Sequence, residues 1–140
     1  MKIRNFQAED SDQVIALWQE SGLTRPWNDP LLDIERKQKL ADDLFLVGVD
    51  STDRIIASVM GGYDGHRGWM NYLAVAPAHR RHGLAGALIE NLEGRLVQAG
   101  CPKINLQIRT DNVEVRAFYE SLGFTEDAVI SMGKRLISDE

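Results

Sequence analysis

A chain of 140 residues, 44% hydrophobic and 26% charged, has the size and mixture of one soluble globular domain with its own core. Sixteen Lys and Arg against 21 Asp and Glu leave a formal charge of −5 and no basic face for a nucleic-acid partner. Cys101 is the single cysteine, which excludes an internal disulfide; no apolar run approaches the ~20 residues of a membrane span, and Met1–Asn5 lacks the apolar core of a signal peptide, so the expectation is a cytoplasmic protein without a membrane partner.

Lys2 to Phe6 alternates as a short strand, and Asp10-Ser11-Asp12 supplies N-cap chemistry for a helix carrying Val14, Ile15, Leu17 and Trp18 that ends near Ser21-Gly22. After a loop from Leu23 to Pro30, a second, charged helix runs from about Leu32 to Leu40. Leu44–Val49 and Ile55–Gly62 are β-rich runs joined by a hairpin turn at Asp50-Ser51-Thr52-Asp53. Gly65 and Gly68 bracket the next turn, and Trp69–Val75 follows as a strand. A long helix from Leu84 to Gln98 stops at Gly100 with Pro102 behind it. Ile104–Ile108 alternates as a strand, Val113–Leu122 is a helix ended by Gly123, and Phe124–Leu136 offers one or two closing strands. With no repeat, low-complexity tract or linker, residues 1–140 are expected to form a single α/β domain. Its mixed central sheet would have roughly six to seven strands flanked by about four helices.

The most informative stretch is Leu73-Ala74-Val75-Ala76-Pro77 leading into Arg80-Arg81-His82-Gly83-Leu84-Ala85-Gly86. An apolar strand stops at a proline, a basic loop follows, and Gly83 opens an amphipathic helix with Leu84, Leu88 and Leu92 at i, i+4 and i+8. Helix starts present N–H groups without partners and a partial positive charge, which suits phosphate. Gly83 lets the backbone approach an anion with no Cβ in the way, small Ala85 and Gly86 keep the first turn accessible, and Arg80, Arg81 and His82 add cationic character at the rim. An ordinary solvated loop would satisfy the same local spacing.

Val75-x-Pro77-x-x-Arg80-x-x-Gly83-x-Ala85 resembles the acetyl-CoA loop of the GCN5-related N-acetyltransferases (GNAT). A second block, Asn112, Ala117, Tyr119, Gly123 and Phe124, falls at the spacing that family would imply. The segments Arg25–Pro30 and Gly61–Gly68 resemble a small bacterial branch, the YpeA-type acetyltransferases. The resemblance implies the GNAT fold, acetyl-CoA as cosubstrate with no metal, and direct transfer of its acetyl group to a primary amine of a small molecule or peptide in a ternary complex. It assigns the pyrophosphate of coenzyme A to Arg80, Arg81, His82, Gly83, Leu84, Ala85 and Gly86, and the pantetheine arm to the backbone of Leu73, Ala74 and Val75. The Leu73 N–H would point to the thioester oxygen, where one oriented donor is worth about 10²–10³ in rate. Asn112 would bond the cofactor arm as well as cap its helix, and Tyr119 would protonate the departing thiolate.

The family's usual strand glutamate falls on Gln107 in Leu106-Gln107-Ile108-Arg109, and glutamine cannot accept the amine proton. The chain then uses another group, for which Asp29, Asp64, His66 and Glu120 are the candidates, histidine being the side chain that titrates near neutrality, or relays the proton through water, or binds the fraction of amine already neutral. Trp27, Asp29, Tyr63, Asp64 and His66, with Arg25 and Arg67 nearby, are the candidate acceptor wall, since binding groups gather on loops. The missing glutamate leaves a second reading open, a non-catalytic acyl-CoA-binding sensor or interaction module on the same fold. Apolar strand edges near the C-terminus are where a homodimer would form.

Overall fold

Branched and aromatic runs make the strands of this protein, and capped amphipathic runs make its helices. The computed structural model describes all residues, 1–140, as two compact units, Met1–Leu106 with Asp139–Glu140, and Gln107–Ser138.

In the first unit, β1 (Lys2–Asn5), β2 (Phe45–Val49), β3 (Ile55–Tyr63), β4 (Gly68–Val75) and β5 (Ile104–Asn105) form one sheet in the order β1-β2-β3-β4-β5. All neighbours are antiparallel except β4 and β5, which pair in parallel through Gly68↔Ile104 and Trp69↔Asn105. One face carries α1 (Ser11–Glu20) and α2 (Pro30–Lys39) over a core of Val14, Leu17, Trp18, Ile34, Phe45, Val47 and Ala74. Phe6 and Phe45 stack there with ring centroids 4.3 Å apart. The other long helix, α3 (Leu84–Gln98), lies across β2, β3 and β4 and buries Leu88, Ile89, Leu92 and Leu96, one stripe at helical spacing. Its close seat depends on Gly61, where an added Cβ would lie 2.4 Å from Leu92 Cδ1 and 3.1 Å from the Leu44 carbonyl oxygen.

The second unit contains α4 (Val113–Ser121), closed at both ends. Asn112 Oδ1 accepts from the Val115 N–H at 3.2 Å. At the far end Gly123, with φ +93°, donates to the Glu120 carbonyl, and the Phe124 N–H donates to that of Tyr119. This is a Schellman closure, and Phe124 packs edge-on to Tyr119 across it.

Two strand expectations are corrected. The sheet has five strands, fewer than six to seven, because Phe124–Leu136 forms none. Val129, Ile130, Met132 and Leu136 are exposed, and no ladder or packed face fixes their alternation. The strand expected over Ile104–Ile108 ends at Asn105, where pairing with β4 stops. The strand edges on which a dimer was expected near the C-terminus are therefore absent. The second helix begins two residues earlier than periodicity implied, because Asp29 Oδ1 caps it by accepting from Leu31 N–H and Leu32 N–H, with Pro30 in its first turn. No helix is long and apolar enough to cross a membrane.

Candidate active site

β4 is the element around which the candidate residues of the first unit arrange themselves. Its pairing with β3 runs regularly from Tyr63↔Gly68 to Met60↔Asn71, then resumes at Ser58↔Ala74. Tyr72 and Leu73 together stand opposite Val59 alone, which is a β-bulge. Tyr72 takes φ +53°, a left-handed backbone that an aromatic residue adopts only when its surroundings impose it. On its other edge β4 has no strand partner beyond Trp69, so the main chain from Met70 to Val75 is outside any ladder on that side.

Past Val75 the chain makes a 3-10 turn at Pro77–His79 and enters the basic loop. Arg80 Nε donates back to the Val75 carbonyl at 3.0 Å, closing the loop onto the strand end. Arg81 and Gly83 both take left-handed backbone, φ +67° and +74°. No side chain caps α3 at Gly83, and the first intrahelical bond there runs from the Ala87 N–H to the Gly83 carbonyl at 3.1 Å. The amides of Leu84, Ala85 and Gly86 therefore have no helical acceptor, and the volume where a Cβ on Gly83 would stand is open. Exposed Arg81 and His82 precede this turn. Such a set of free amides, positive dipole end and guanidinium groups fits phosphate oxygens.

The proposed acceptor residues fall in two places. Arg25-Pro26-Trp27-Asn28 is a tight turn with half-exposed Trp27 at its corner, and Asp29 directly follows as the cap of α2. One turn into α2, Asp33 Oδ2 accepts from the Tyr72 hydroxyl at 2.6 Å, which ties this region to the bulge. Tyr63, Asp64 and His66 sit instead on the β3–β4 hairpin, five residues up β4 from Leu73, roughly 15 Å at the rise of a strand. There Asp64 Oδ1 accepts from the N–H groups of Arg67 and His66, bonds that hold its carboxyl below the usual carboxylate range and make it a weak base. Tyr63 donates toward the Gly65 and Gly100 carbonyls, a turn-closing role. Asp33 and Tyr72 were not singled out from the sequence; Asp33 carried only the signal of an acidic residue in a helix's first turn.

In the second unit, Tyr119 is buried between Phe118 and Phe124, edge-on to both at 5.1 and 5.5 Å, and this burial pushes its phenol up to about 12. It stays protonated at any ordinary pH. Glu120 faces Arg116 at 3.6 Å, and exposed Gln107 donates to Ser131 Oγ.

Residues 11–124 match the model of the acetyltransferase (GNAT) family. A curated acetyltransferase of Sodalis glossinidius is 50% identical over 141 residues, covering 100% of this chain and 99% of its own length. Among solved structures, Ard1 from Thermoplasma volcanium superposes with a TM-score of 0.77 at 26% identity, over 91% of this chain and 84% of that one. Glucosamine-6-phosphate N-acetyltransferase from Arabidopsis thaliana gives 0.70 at 25% identity, over 97% and 98%. A strand that carries a bulge on one edge and no partner beyond Trp69 on the other, running into an open helix start, thus stands within a chain that belongs to the GNAT acetyltransferase family.

Proposed function

We propose that residues 1–140 act as one acetyl-CoA-dependent N-acetyltransferase domain, moving the acetyl group to a primary amine by direct attack in a ternary complex. The observation that carries this reading is the continuity of β4 with α3. A strand edge without a partner from Met70 to Val75 leads through a basic loop into uncapped amides at Leu84–Gly86. Bound there, acetyl-CoA supplies an activated acetyl thioester and a thiol leaving group.

The chain's own groups divide the work. Leu84, Ala85 and Gly86 amides, with Arg80, Arg81 and His82, hold the pyrophosphate; the backbone of Leu73, Ala74 and Val75 bonds the pantetheine arm. The Leu73 N–H, in the bulge, donates to the thioester oxygen as negative charge builds there. Tyr119, a phenol protonated at ordinary pH, gives its proton to the departing sulfur and is restored by the proton that the amine nitrogen sheds as it becomes an amide; Asn112 assists in holding the arm. Asp29, Asp64 and Glu120 are occupied by a helix cap, a turn and Arg116, and His66 stands on the β3–β4 hairpin, five strand residues from Leu73, so the acceptor enters by its own neutral fraction and the rate rises with pH toward the amine's pKa. Trp27 and Asp29, beside the Asp33–Tyr72 contact, make the acceptor wall, with Tyr63, Asp64 and His66 as its outer reach. A neighbour named an N-acetyltransferase supports an amine as the acceptor.

The test is coenzyme A release from acetyl-CoA at about pH 8 across amino acids, polyamines, aminoglycosides and N-terminal peptides, with Tyr119→Phe alongside. Turnover with one acceptor class, lowered about 10²–10⁴-fold in the variant, is the expected result. Equal rates would remove Tyr119 from the mechanism. Silence across the panel, with acetyl-CoA still bound, would favour the acyl-CoA-binding module.

A further inference from the structure

The bulge is held by a polar chain buried in the first unit. Trp18 Nε1 donates to Ser58 Oγ at 2.9 Å, and Ser58 Oγ donates to the Tyr72 carbonyl at 3.0 Å. Trp18 and Ser58 are both fully buried, although 40 residues apart. The Tyr72 ring stacks on Trp18 with centroids 3.8 Å apart and planes at 9°, and its hydroxyl donates to Asp33 Oδ2. Asp33 is braced in turn by Arg36 at 3.3 Å. Each polar contact within a core must repay desolvation, so a serine facing a tryptophan N–H and a strand carbonyl would be a costly choice for packing alone. Together they fix the carbonyl, the ring and the hydroxyl of the one β4 residue whose backbone is left-handed.

We propose that Trp18, Ser58 and Asp33 are positioning residues that clamp Tyr72 in its left-handed conformation and thereby aim the neighbouring Leu73 N–H. The inference rests on the proposed role of Leu73 in acetyl transfer. None of the three touches the reacting atoms. Removing Ser58 Oγ orphans the Trp18 N–H and the Tyr72 carbonyl, freeing the bulge to slide or relax, while the open amides of α3 lie beyond the end of β4 and keep their place.

The full chain is compared with Ser58→Ala, Trp18→Phe and Ser58→Thr, assayed well below each melting temperature. In Ser58→Ala, kcat should fall about ten- to hundredfold, the loss expected from a misplacement of about 1 Å, while the KM for acetyl-CoA and the calorimetric affinity for coenzyme A move less than about twofold. Trp18→Phe keeps the ring stack and should fall in the same direction, and Ser58→Thr, which keeps the hydroxyl, should recover most of kcat. Amide exchange in the β3–β4 ladder on either side of the bulge should quicken in the first two variants. Wild-type kcat in folded Ser58→Ala or Trp18→Phe overturns the positioning role, as does a parallel loss of kcat and coenzyme A affinity, which would mark general loosening. Should Ser58→Ala not fold, Trp18→Phe decides. A wild-type chain that neither binds coenzyme A nor releases it from acetyl-CoA sinks the parent reading, and this inference with it, before any variant is compared.

Discussion

Gly83→Ala separates the backbone cost of a left-handed residue from the loss of an anion site. Nothing lies within 4 Å of the added Cβ, so the variant meets no clash and only φ +74° opposes it. Left-handed backbone costs an alanine about 1–2 kcal/mol, offset by about 0.4–1 kcal/mol from the stiffer unfolded chain. A net loss of about 1 kcal/mol is expected. At about 2.1 cal/mol/K per residue, 140 residues give an unfolding entropy of about 0.29 kcal/mol/K, so the melting temperature should drop by about 3–4 °C. Gly65→Ala is the matched control: φ is +92°, its Cβ also meets nothing, and it lies on the β3–β4 hairpin. Both variants should lose comparable stability. Only Gly83→Ala should weaken coenzyme A binding, by about ten- to hundredfold if one charge-assisted bond of about 1.5–3 kcal/mol is lost. Thermal denaturation and calorimetric titration with coenzyme A read the two effects apart. Equal coenzyme A affinity in the two variants would refute the placement of the anion at α3.

Three further outcomes follow from packing, capping and titration. Gly61→Ala drives a Cβ against fully buried Leu92 and should cost about 1–3 kcal/mol, a fall of about 3–10 °C; an unchanged melting temperature would show that α3 lifts off the sheet freely. Asn112→Ala removes the cap of α4 and should cost about 0.5–2 kcal/mol, seen as faster amide exchange at Val115; wild-type exchange there would dismiss the cap. The Tyr119 phenol, near 10 in the unfolded chain and pushed up to about 12 by burial, is protonated in the fold where the unfolded chain has already ionised; stability contributed by its burial is complete below about pH 10 and is lost as pH rises toward about 12. Tyr119→Phe should flatten that decline, and an identical alkaline profile in both proteins would contradict it.

Local signals made much of the fold legible. The bounds of α3, Leu84–Gln98, follow from a glycine at its start, a leucine stripe and a glycine–proline stop, all within one segment. Asp29-Pro30 also advertised a helix start, yet periodicity set the boundary at Leu32 because the first turn of α2 is not amphipathic. Strand count was illegible because a strand exists only if another pairs with it; Leu106–Ile108 and Phe124–Leu136 have the composition without the partner. The bulge had no local sign at all. Tyr72 is an ordinary β-forming residue, and what bends it lies 14 residues away at Ser58, 39 at Asp33 and farther still at Trp18. For the same reason the sequence points to the conspicuous loops of Trp27 and Asp29 and of Tyr63, Asp64 and His66, while Asp33, the residue that touches the bulge, reads as one more charge on a charged helix.

The two closures of α4 give the block of Asn112, Ala117, Tyr119, Gly123 and Phe124 a second meaning. Asn112 starts the helix, Gly123 stops it, and Phe124 seals the stop against the Tyr119 ring. Nine residues are too few for a stable helix in water unless the ends are secured. Much of what marks the chain as an acetyltransferase is thus a grammar for building a short helix, and a relative that had abandoned the chemistry would still need to spell it. The Tyr119 hydroxyl takes no part in either closure. Only two groups of that block are asked to do more than build the helix in the proposed reaction, the Tyr119 hydroxyl and the Asn112 side chain, and the second is already spent on a cap.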